Sequence, residues 1–359
     1  MVKPAYEIAT LPGDGIGPEV VEATVAVLDA AVGTRGFSLQ WQTFDAGAGM
    51  FRRTGVVIAP ETMAAVGEAD AILLGAMGLP DVRTANGTEA APQLDIRERY
   101  QLFASLRPAR LFDGVEGVLR RGDVDMLVIR ETTEGLFAGR HEPPGDDPDS
   151  ASNVLTITRA TSEKLFELAF AQARLRRAAG HPGKVTLLDK SNVLHSFAFF
   201  RSVFDDVAAR HPDVESERLY IDAASMLMVL DPGRFDVIVT ENQFGDIVSE
   251  LAAGISGGIG LAPSADVGEG HAVFQPCHGS APDLVGRGLA NPVATILSGA
   301  MLLEWLSDRH EDPRAADAAT ELRAAVAEVL AAGPRTPDLG GSATTDEVTR
   351  AIIAALPRS

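Results

Sequence analysis

The chain has 359 residues, 46% of them hydrophobic, and 31 Lys plus Arg against 50 Asp plus Glu, for a formal charge of −19 at pH 7. So acidic a surface repels polyanions, which excludes generic binding to nucleic acid or anionic membranes. It also requires any acidic ligand to meet a local basic cluster. The single cysteine, Cys277, forbids an intrachain disulfide. With no secretory pattern at the N-terminus and no apolar run long enough to span a bilayer, the expectation is a cytoplasmic protein.

In chain order, residues 6–11 read as a strand and Pro12-Gly-Asp-Gly-Ile-Gly17 as a glycine loop. A helix starts at Pro18, with apolar residues at Val20, Val21, Ala23, Val27 and Leu28. Pro18 suits a first helical turn, and Glu19 complements the positive end of the dipole. Strand-like apolar runs recur at 71–74, 126–129, 185–188, 219–221 and 237–239, with helical patterns at 163–179 and 192–209 between them. This alternation predicts an α/β protein with much parallel sheet. Residues 141–149 are polar and proline-rich, a surface loop or arm, and strand-like sequence resumes at 154–157. Helices are expected at 315–332 and 346–356, and no internal repeat is visible.

Four constellations stand out. Arg97, Arg107 and Arg130 are arginines in an acidic chain, and Arg130 ends an apolar strand, where α/β enzymes place ligand groups. Guanidinium forks bind carboxylates bidentately, so three converging arginines would hold a dicarboxylate. Spacing alone is equally compatible with three separate surface ion pairs. Asp246 and Glu250 lie four apart at the start of a helix, a repulsive arrangement that a divalent cation would turn into attraction. Asp222, expected just after the 219–221 strand, offers a third oxygen, and an all-oxygen set suits Mg²⁺ or Mn²⁺. Acids at a helix start are also simply favourable to the dipole. Lys190, with Asn192 nearby, follows a strand; it is either a general base with a depressed pKa or an ordinary exposed lysine. His278-Gly-Ser-Ala-Pro-Asp283, followed by Asn291, is a glycine-containing loop in which Asp283 would accept from ribose hydroxyls. The Gly13-x-Gly15-x-Gly17 loop lacks the spacing of the dinucleotide fingerprint, and Cys277 has no triad partner that would make it a nucleophile.

Taken together these segments resemble the isocitrate/isopropylmalate dehydrogenase family, the β-decarboxylating dehydrogenases. The motifs are Leu11-Pro-Gly-Asp-Gly-Ile-Gly-Pro-Glu19, Tyr220-Ile-Asp-Ala-Ala, Thr240-Glu-Asn-Gln-Phe-Gly-Asp-Ile, His278-Gly-Ser-Ala-Pro-Asp with Ala290-Asn-Pro, and Asp338-Leu-Gly-Gly-Ser342. The resemblance implies an isopropylmalate dehydrogenase-like two-domain α/β fold with a large mixed, mostly parallel sheet rather than a Rossmann fold. Residues 1–103 and 257–359 would form a discontinuous NAD-binding domain, and 104–256 the dimerisation and substrate/metal domain. It further implies a homodimer with shared active sites acting on a small hydroxy-dicarboxylate. Arg97, Arg107 and Arg130 match substrate-binding arginines. Lys190 and Asp222 match catalytic residues supplied by the partner subunit, with Asp222, Asp246 and Glu250 as ligands of Mg²⁺ or Mn²⁺. Ile16, Asn192, His278, Gly279, Ser280, Ala281, Asp283 and Asn291 match the NAD site, and Asp283-Leu284 resembles NAD-specific members.

Two departures follow from the resemblance. Glu250 stands where the family usually has Asp, which keeps an oxygen ligand. Phe137 stands where it normally has the tyrosine that protonates the enolate after carbon dioxide leaves, and phenylalanine has no proton to give. The implied activity is therefore metal-dependent NAD-linked oxidation of a (2R)-malate-type acid such as 3-isopropylmalate, tartrate or D-malate, with decarboxylation expected. The alternatives are a dehydrogenase that does not decarboxylate and a non-catalytic, ligand-binding paralogue. Residues 88–96, the segment with which family members sort substituents, lack leucine-rich character, and Gln93 suggests a polar or small substituent.

Overall fold

A computed structural model describes residues 2–85, 87–119, 123–142 and 149–357. The chain starts with β1 (Ala5–Gly13), α1 (Gly17–Val32), β2 (Ser38–Thr43), α2 (Ala48–Thr54), α3 (Pro60–Glu68), β3 (Ala71–Ala76) and α4 (Pro92–Arg99). It continues through β4 (Ala104–Arg110), β5 (Asp125–Glu131), α5 (Arg159–Ala178), β6 (Val185–Asp189), α6 (His195–Ala208), β7 (Ser216–Tyr220), α7 (Ile221–Leu230), β8 (Val237–Thr240) and α8 (Asn242–Ile255). It closes with β9 (Pro263–Val267), β10 (Ala272–Pro276), α9 (Val293–His310), α10 (Pro313–Ala332) and α11 (Thr345–Ala355).

All ten strands join one sheet in the order β2-β1-β3-β10-β9-β4-β5-β8-β6-β7. The pairs around β4 and β9 are antiparallel and the others parallel. The expected α/β class with a mixed, mostly parallel sheet is thus what the chain forms. The wholly buried apolar runs of β3 and β8 explain why: strands covered by helices on both faces read as continuous hydrophobic sequence rather than alternation.

Strands from both ends of the chain make the β2-to-β9 half of the sheet, and β4 to β8 make the other. One face, the back, is covered by α1, α9 and α10 on the first half and by α5 and α6 on the second, over one large core. The opposite face, the front, has two separate cores. One lies under α7 and α8 around Val128, Ile238 and Val248; the other lies among Leu11, Leu74, Ile96 and Leu102 near α3 and α4. Between these front cores lie the three candidate arginines, from α4, β4 and β5.

Some boundaries differ from the sequence reading. The strand expected at 219–221 ends at Tyr220, and Ile221 opens α7, so Asp222 sits in a first helical turn rather than beyond a strand. Residues 154–157 form no strand; Thr156 makes an isolated bridge to Gly135. Most of the polar stretch at 141–149 lies outside the described residues.

The glycine loop after β1 works through its aspartate. Asp14 is buried and accepts from the backbone N–H groups of Ala48 (2.8 Å), Gly49 (2.7 Å) and Gly78 (2.9 Å). It thereby ties the start of α2 and the chain after β3 to one carboxylate. Asp14→Asn places an amide N–H₂ against these donors, and we expect a loss of ~2–4 kcal/mol of unfolding free energy, measured by urea denaturation.

Candidate active site

Arg97 on α4, Arg107 on β4 and Arg130 on β5 are all buried on the front face. Strand alternation explains the last two, because the neighbours of Arg107 and Arg130 along each strand turn to the back. Arg97 donates from Nε to Asp266 Oδ2 at 2.8 Å, and this buried carboxylate of β9 also accepts from Gln275 at 2.9 Å. Arg107 donates to Ser249 Oγ at 2.8 Å, with its Nη1 at 3.7 Å from Asp246 and 3.8 Å from Glu250. Arg130 donates twice to Asn242 Oδ1, at 3.1 and 2.8 Å, and once to Asp246. A Cβ on Gly245 would lie 2.6 Å from Arg130 Cγ, so α8 approaches the arginine this closely only because that position is glycine.

The cluster is electrostatically tense. Burial, followed by the neighbouring charges of Arg107 and Arg97, pushes Arg130 down to about 9. Burial also raises the Glu250 carboxyl, even with Arg107 opposing the shift. Asp246 and Glu250 remain half exposed and so accessible to a ligand. Behind them, burial pushes the Cys277 thiol up to about 11, which leaves it protonated and unsuited to nucleophilic attack.

Lys190 and Asp222 meet each other rather than the arginines. Lys190 Nζ donates to Asp222 Oδ1 at 2.8 Å, and this contact holds the Asp222 carboxyl below its ordinary range. The turn carrying Lys190 is anchored by buried Asp189, which accepts from Ser191 N at 2.9 Å and from the Arg201 fork at 2.6 and 3.0 Å. Asn192 is exposed beside them. Among the described residues, no hydrogen bond or ion pair joins Lys190, Asn192 or Asp222 to Asp246, and no three acidic, histidine or cysteine side chains gather as a metal site. Lys190–Asp222 and the arginine–carboxylate cluster are therefore two separate groups within one chain.

The remaining candidates lie along the other end of the front cleft. Ile16 N donates to Ser280 O at 2.8 Å, and Ser280 Oγ donates to Gly78 O at 2.5 Å, so the two glycine-containing loops are locked together. Gly15, at φ +60, would place a Cβ 1.9 Å from Ser280 O. Ala281 also takes a left-handed backbone, at φ +37, and starts a short turn that leaves Gly279 and Asp283 exposed. His278 Nδ1 is 3.0 Å from Gly279 O, and its Nε2 is buried without a partner. Burial lowers the His278 pKa, favouring a neutral ring. Asn291 donates to Asp338 at 2.9 Å and accepts from Val293 N at 3.0 Å.

The sequence reading missed the residues that aim these groups: Asn242, Ser249, Asp266, Asp338 and Asp14. Asn242 lies inside the Thr240-Glu-Asn motif and was within reach of inspection. Asp266 has no local signal, since its meaning depends on an arginine 169 positions away.

Residues 7–352 match the sequence model of the isocitrate/isopropylmalate dehydrogenase family. The chain belongs to the isocitrate/isopropylmalate dehydrogenase family. It is therefore a dehydrogenase, and it has this family's fold. It is 39% identical over 350 residues to the 3-isopropylmalate/3-methylmalate dehydrogenase of Methanocaldococcus jannaschii, covering 97% of this chain and 98% of that one. With the 3-isopropylmalate dehydrogenase of Moorella thermoacetica it shares 40% identity over 343 residues and 93% of each chain. Among solved structures, the isocitrate dehydrogenase of Methylococcus capsulatus superposes with a TM-score of 0.85 at 36% identity, over 98% of this chain and 100% of the other. A β-decarboxylating dehydrogenase of Thermococcus kodakarensis does so with a TM-score of 0.79 at 36% identity, over 98% and 96%. Within this family frame Phe137 gains a concrete position. Its ring lies under the Arg130 guanidinium, 5.3 Å from centroid to carbon, so the aromatic wall is present without a hydroxyl.

The residue after Arg130 gives a pH test. Burial raises the Glu131 carboxyl from 4.5 to about 7, against the bonds it accepts from Thr133 and Glu134. The folded value exceeds the unfolded one, so the native state holds the extra proton between them. Its stabilising contribution is complete below the unfolded value and is lost as pH rises through about 7. Urea unfolding should show wild type losing ~2–3 kcal/mol from about pH 5 to about pH 8, and Glu131→Gln losing much less.

Proposed function

We propose that this dehydrogenase is NAD-linked and metal-dependent, that it oxidises a (2R)-malate-type 2-hydroxy acid, and that two subunits share each active site. The observation that carries the reading is the convergence of three buried arginines on the half-exposed carboxylates Asp246 and Glu250. Three guanidiniums fit a dicarboxylate, and the two acids, which serve in this structure as counter-ions to Arg107 and Arg130, are hard oxygen donors of the kind Mg²⁺ or Mn²⁺ takes. A cation on Asp246 and Glu250 would release those guanidiniums to the substrate. Asp222 of the partner subunit would complete the set, with the partner's Lys190 alongside. Support for pairing comes from the exposed apolar side chains of α7 and α8, Met226, Val229, Leu230 and Ile247, a patch that water alone covers poorly. The buried, unpartnered Nε2 of His278, together with exposed Asp283, suits the adenosine end of NAD. Gln93, one helical turn before Arg97, has a buried and unpartnered Oε1, which favours a polar or small substituent on the substrate.

Bound NAD would supply the hydride acceptor, and a bound divalent cation would supply Lewis-acid polarisation of the alcohol. The protein's own work is then specific. Arg97, Arg107 and Arg130 fix the carboxylates and so the face of the reacting carbon. Lys190, beside Asp222, would take the hydroxyl proton as the free amine, directly or through water, and become the ammonium that pairs with Asp222. Phe137 packs Arg130 but cannot return a proton to carbon. Protonation of the enolate left when carbon dioxide departs would therefore fall to water or Lys190. A second reading, oxidation that stops at the 2-oxo acid, draws its support from that same phenyl ring.

NADH formation from D-malate, tartrate and 3-isopropylmalate, each with EDTA or Mn²⁺, tests the proposal; we expect activity with Mn²⁺ alone and a preference for NAD over NADP. Full activity in metal-free buffer overturns the carboxylate site. Asp246→Asn should raise the Mn²⁺ concentration needed for half-activity by about tenfold or more. Counting carbon dioxide released per NADH separates the two readings: about one for a decarboxylating enzyme, near zero otherwise. If protonation limits turnover, Phe137→Tyr should speed release of the decarboxylated product by roughly 10²–10⁴-fold.

A further inference from the structure

The pleat that sends Arg107 to the front sends Leu106, Pro108 and Arg110 of the same strand to the back. There, between α5 on one side and α9 with α10 on the other, no helix among the described residues covers the middle of the sheet. A trough of about 890 Å³ runs along β4 and β9. Its floor is apolar, from Leu106, Pro108, Leu127, Ala265 and Phe274, and Leu168 of α5 faces Met301 and Trp305 of α9 across it. A volume of this size lies within the range of small-ligand pockets, roughly 300–1,000 Å³.

The two ends differ. At one, Arg110 is exposed and its guanidinium makes no hydrogen bond among the described residues. Its nearest acid, Asp125 at 3.8 Å, is already engaged by Arg176 at 2.9 Å, and His181 lines the same end. At the other, Glu269 pairs with Lys164 at 2.6 Å and Glu304 with Arg323 at 2.8 Å. Asp308 there has no cation partner among the described residues; burial, with Glu304 adding to it, raises its carboxyl. The acids and cations lining the trough balance, and among the described residues the guanidiniums that hydrogen-bond to no acid are Arg110 at the first end and Arg309, over the Trp305 ring, at the second; only Arg110 stands clear of Glu304 and Asp308.

We propose that this back trough binds a linear carboxylate with an apolar tail, its head on the Arg110 fork and its tail over the Leu106–Ala265–Phe274 floor. Planar guanidinium recognises carboxylate bidentately, and burial of an alkyl chain against such a floor gains about 0.8 kcal/mol per CH₂. One wall comes from α5 and the other from α9 and α10, which pack on opposite halves of the sheet, so an occupant fixes their separation.

The test uses the full-length protein and dodecanoate below its micellar concentration, with dodecylamine and dodecanol as comparators. Terminally brominated undecanoate should quench Trp305, which lines the trough, and the quenching should vanish in Trp305→Phe while Trp41 is unaffected. Arg110→Gln should weaken dodecanoate about three- to tenfold and leave dodecanol unchanged. Leu175→Asp, at an exposed lining position of α5, should weaken both without a folding risk. Saturating D-malate with Mn²⁺ should not displace the probe. Equal binding of dodecylamine, indifference to Arg110→Gln, or displacement by D-malate, which would place the acid in the front arginine cluster, each overturns the proposal.

Discussion

Three guanidiniums packed into one buried pocket repel one another, and the architecture around them supplies the compensation. Arg130 is wholly enclosed and pressed by two like charges, and Asp246 and Asn242 of α8 stand against it. Arg97 needs Asp266 from β9, and Arg107 needs Ser249 and the acids of α8. The arginines come from α4 and the middle strands β4 and β5, and their partners from α8 and the C-terminal strand β9. The strand order that places β9 beside β4, and β4 beside β5, is what brings them together. The site and the sheet are in this sense one solution to one electrostatic problem.

The same compensation gives the pocket its responsiveness. The acids that neutralise Arg107 and Arg130 are the half-exposed ones, while the acid that neutralises Arg97 is fully buried. Arg97 is accordingly a fixed element, and the other two can exchange partners. Phe137 lies on the exchangeable side, against Arg130. A phenyl face there shields the guanidinium and offers no proton of its own.

Much of this was legible in the sequence, for physical reasons. Apolar runs such as Val185 to Leu188 and the amphipathic spacing of α10 and α11 declare themselves within a few residues, because burial acts on local pattern. Strands β9 and β10 do not, since Pro263, Ser264, Asp266 and Gln275 interrupt their apolar character; those polar residues belong to the front face and its network. Asp222 was placed beyond a strand because Ile221 continues an apolar run, while the backbone has already turned into α7. The arginines could be named from the sequence, but their partners could not. Pairing between distant positions is a property of strand order, which no local window contains. Arg110 went unread because its face is decided by the parity of the strand it ends.

The strand order has one more consequence, for a chain still emerging from the ribosome. β10 lies between β3 and β9, so one edge of β3 is left unpaired until residues 272–276 exist, nearly two hundred positions after β3 itself. The waiting strand is Ala-Ile-Leu-Leu-Gly-Ala, without a charge or a proline. An apolar edge of that kind is a template for the wrong neighbour. Until its own C-terminal strand is made, the nascent chain has every reason to rely on whatever shields such edges in the cell.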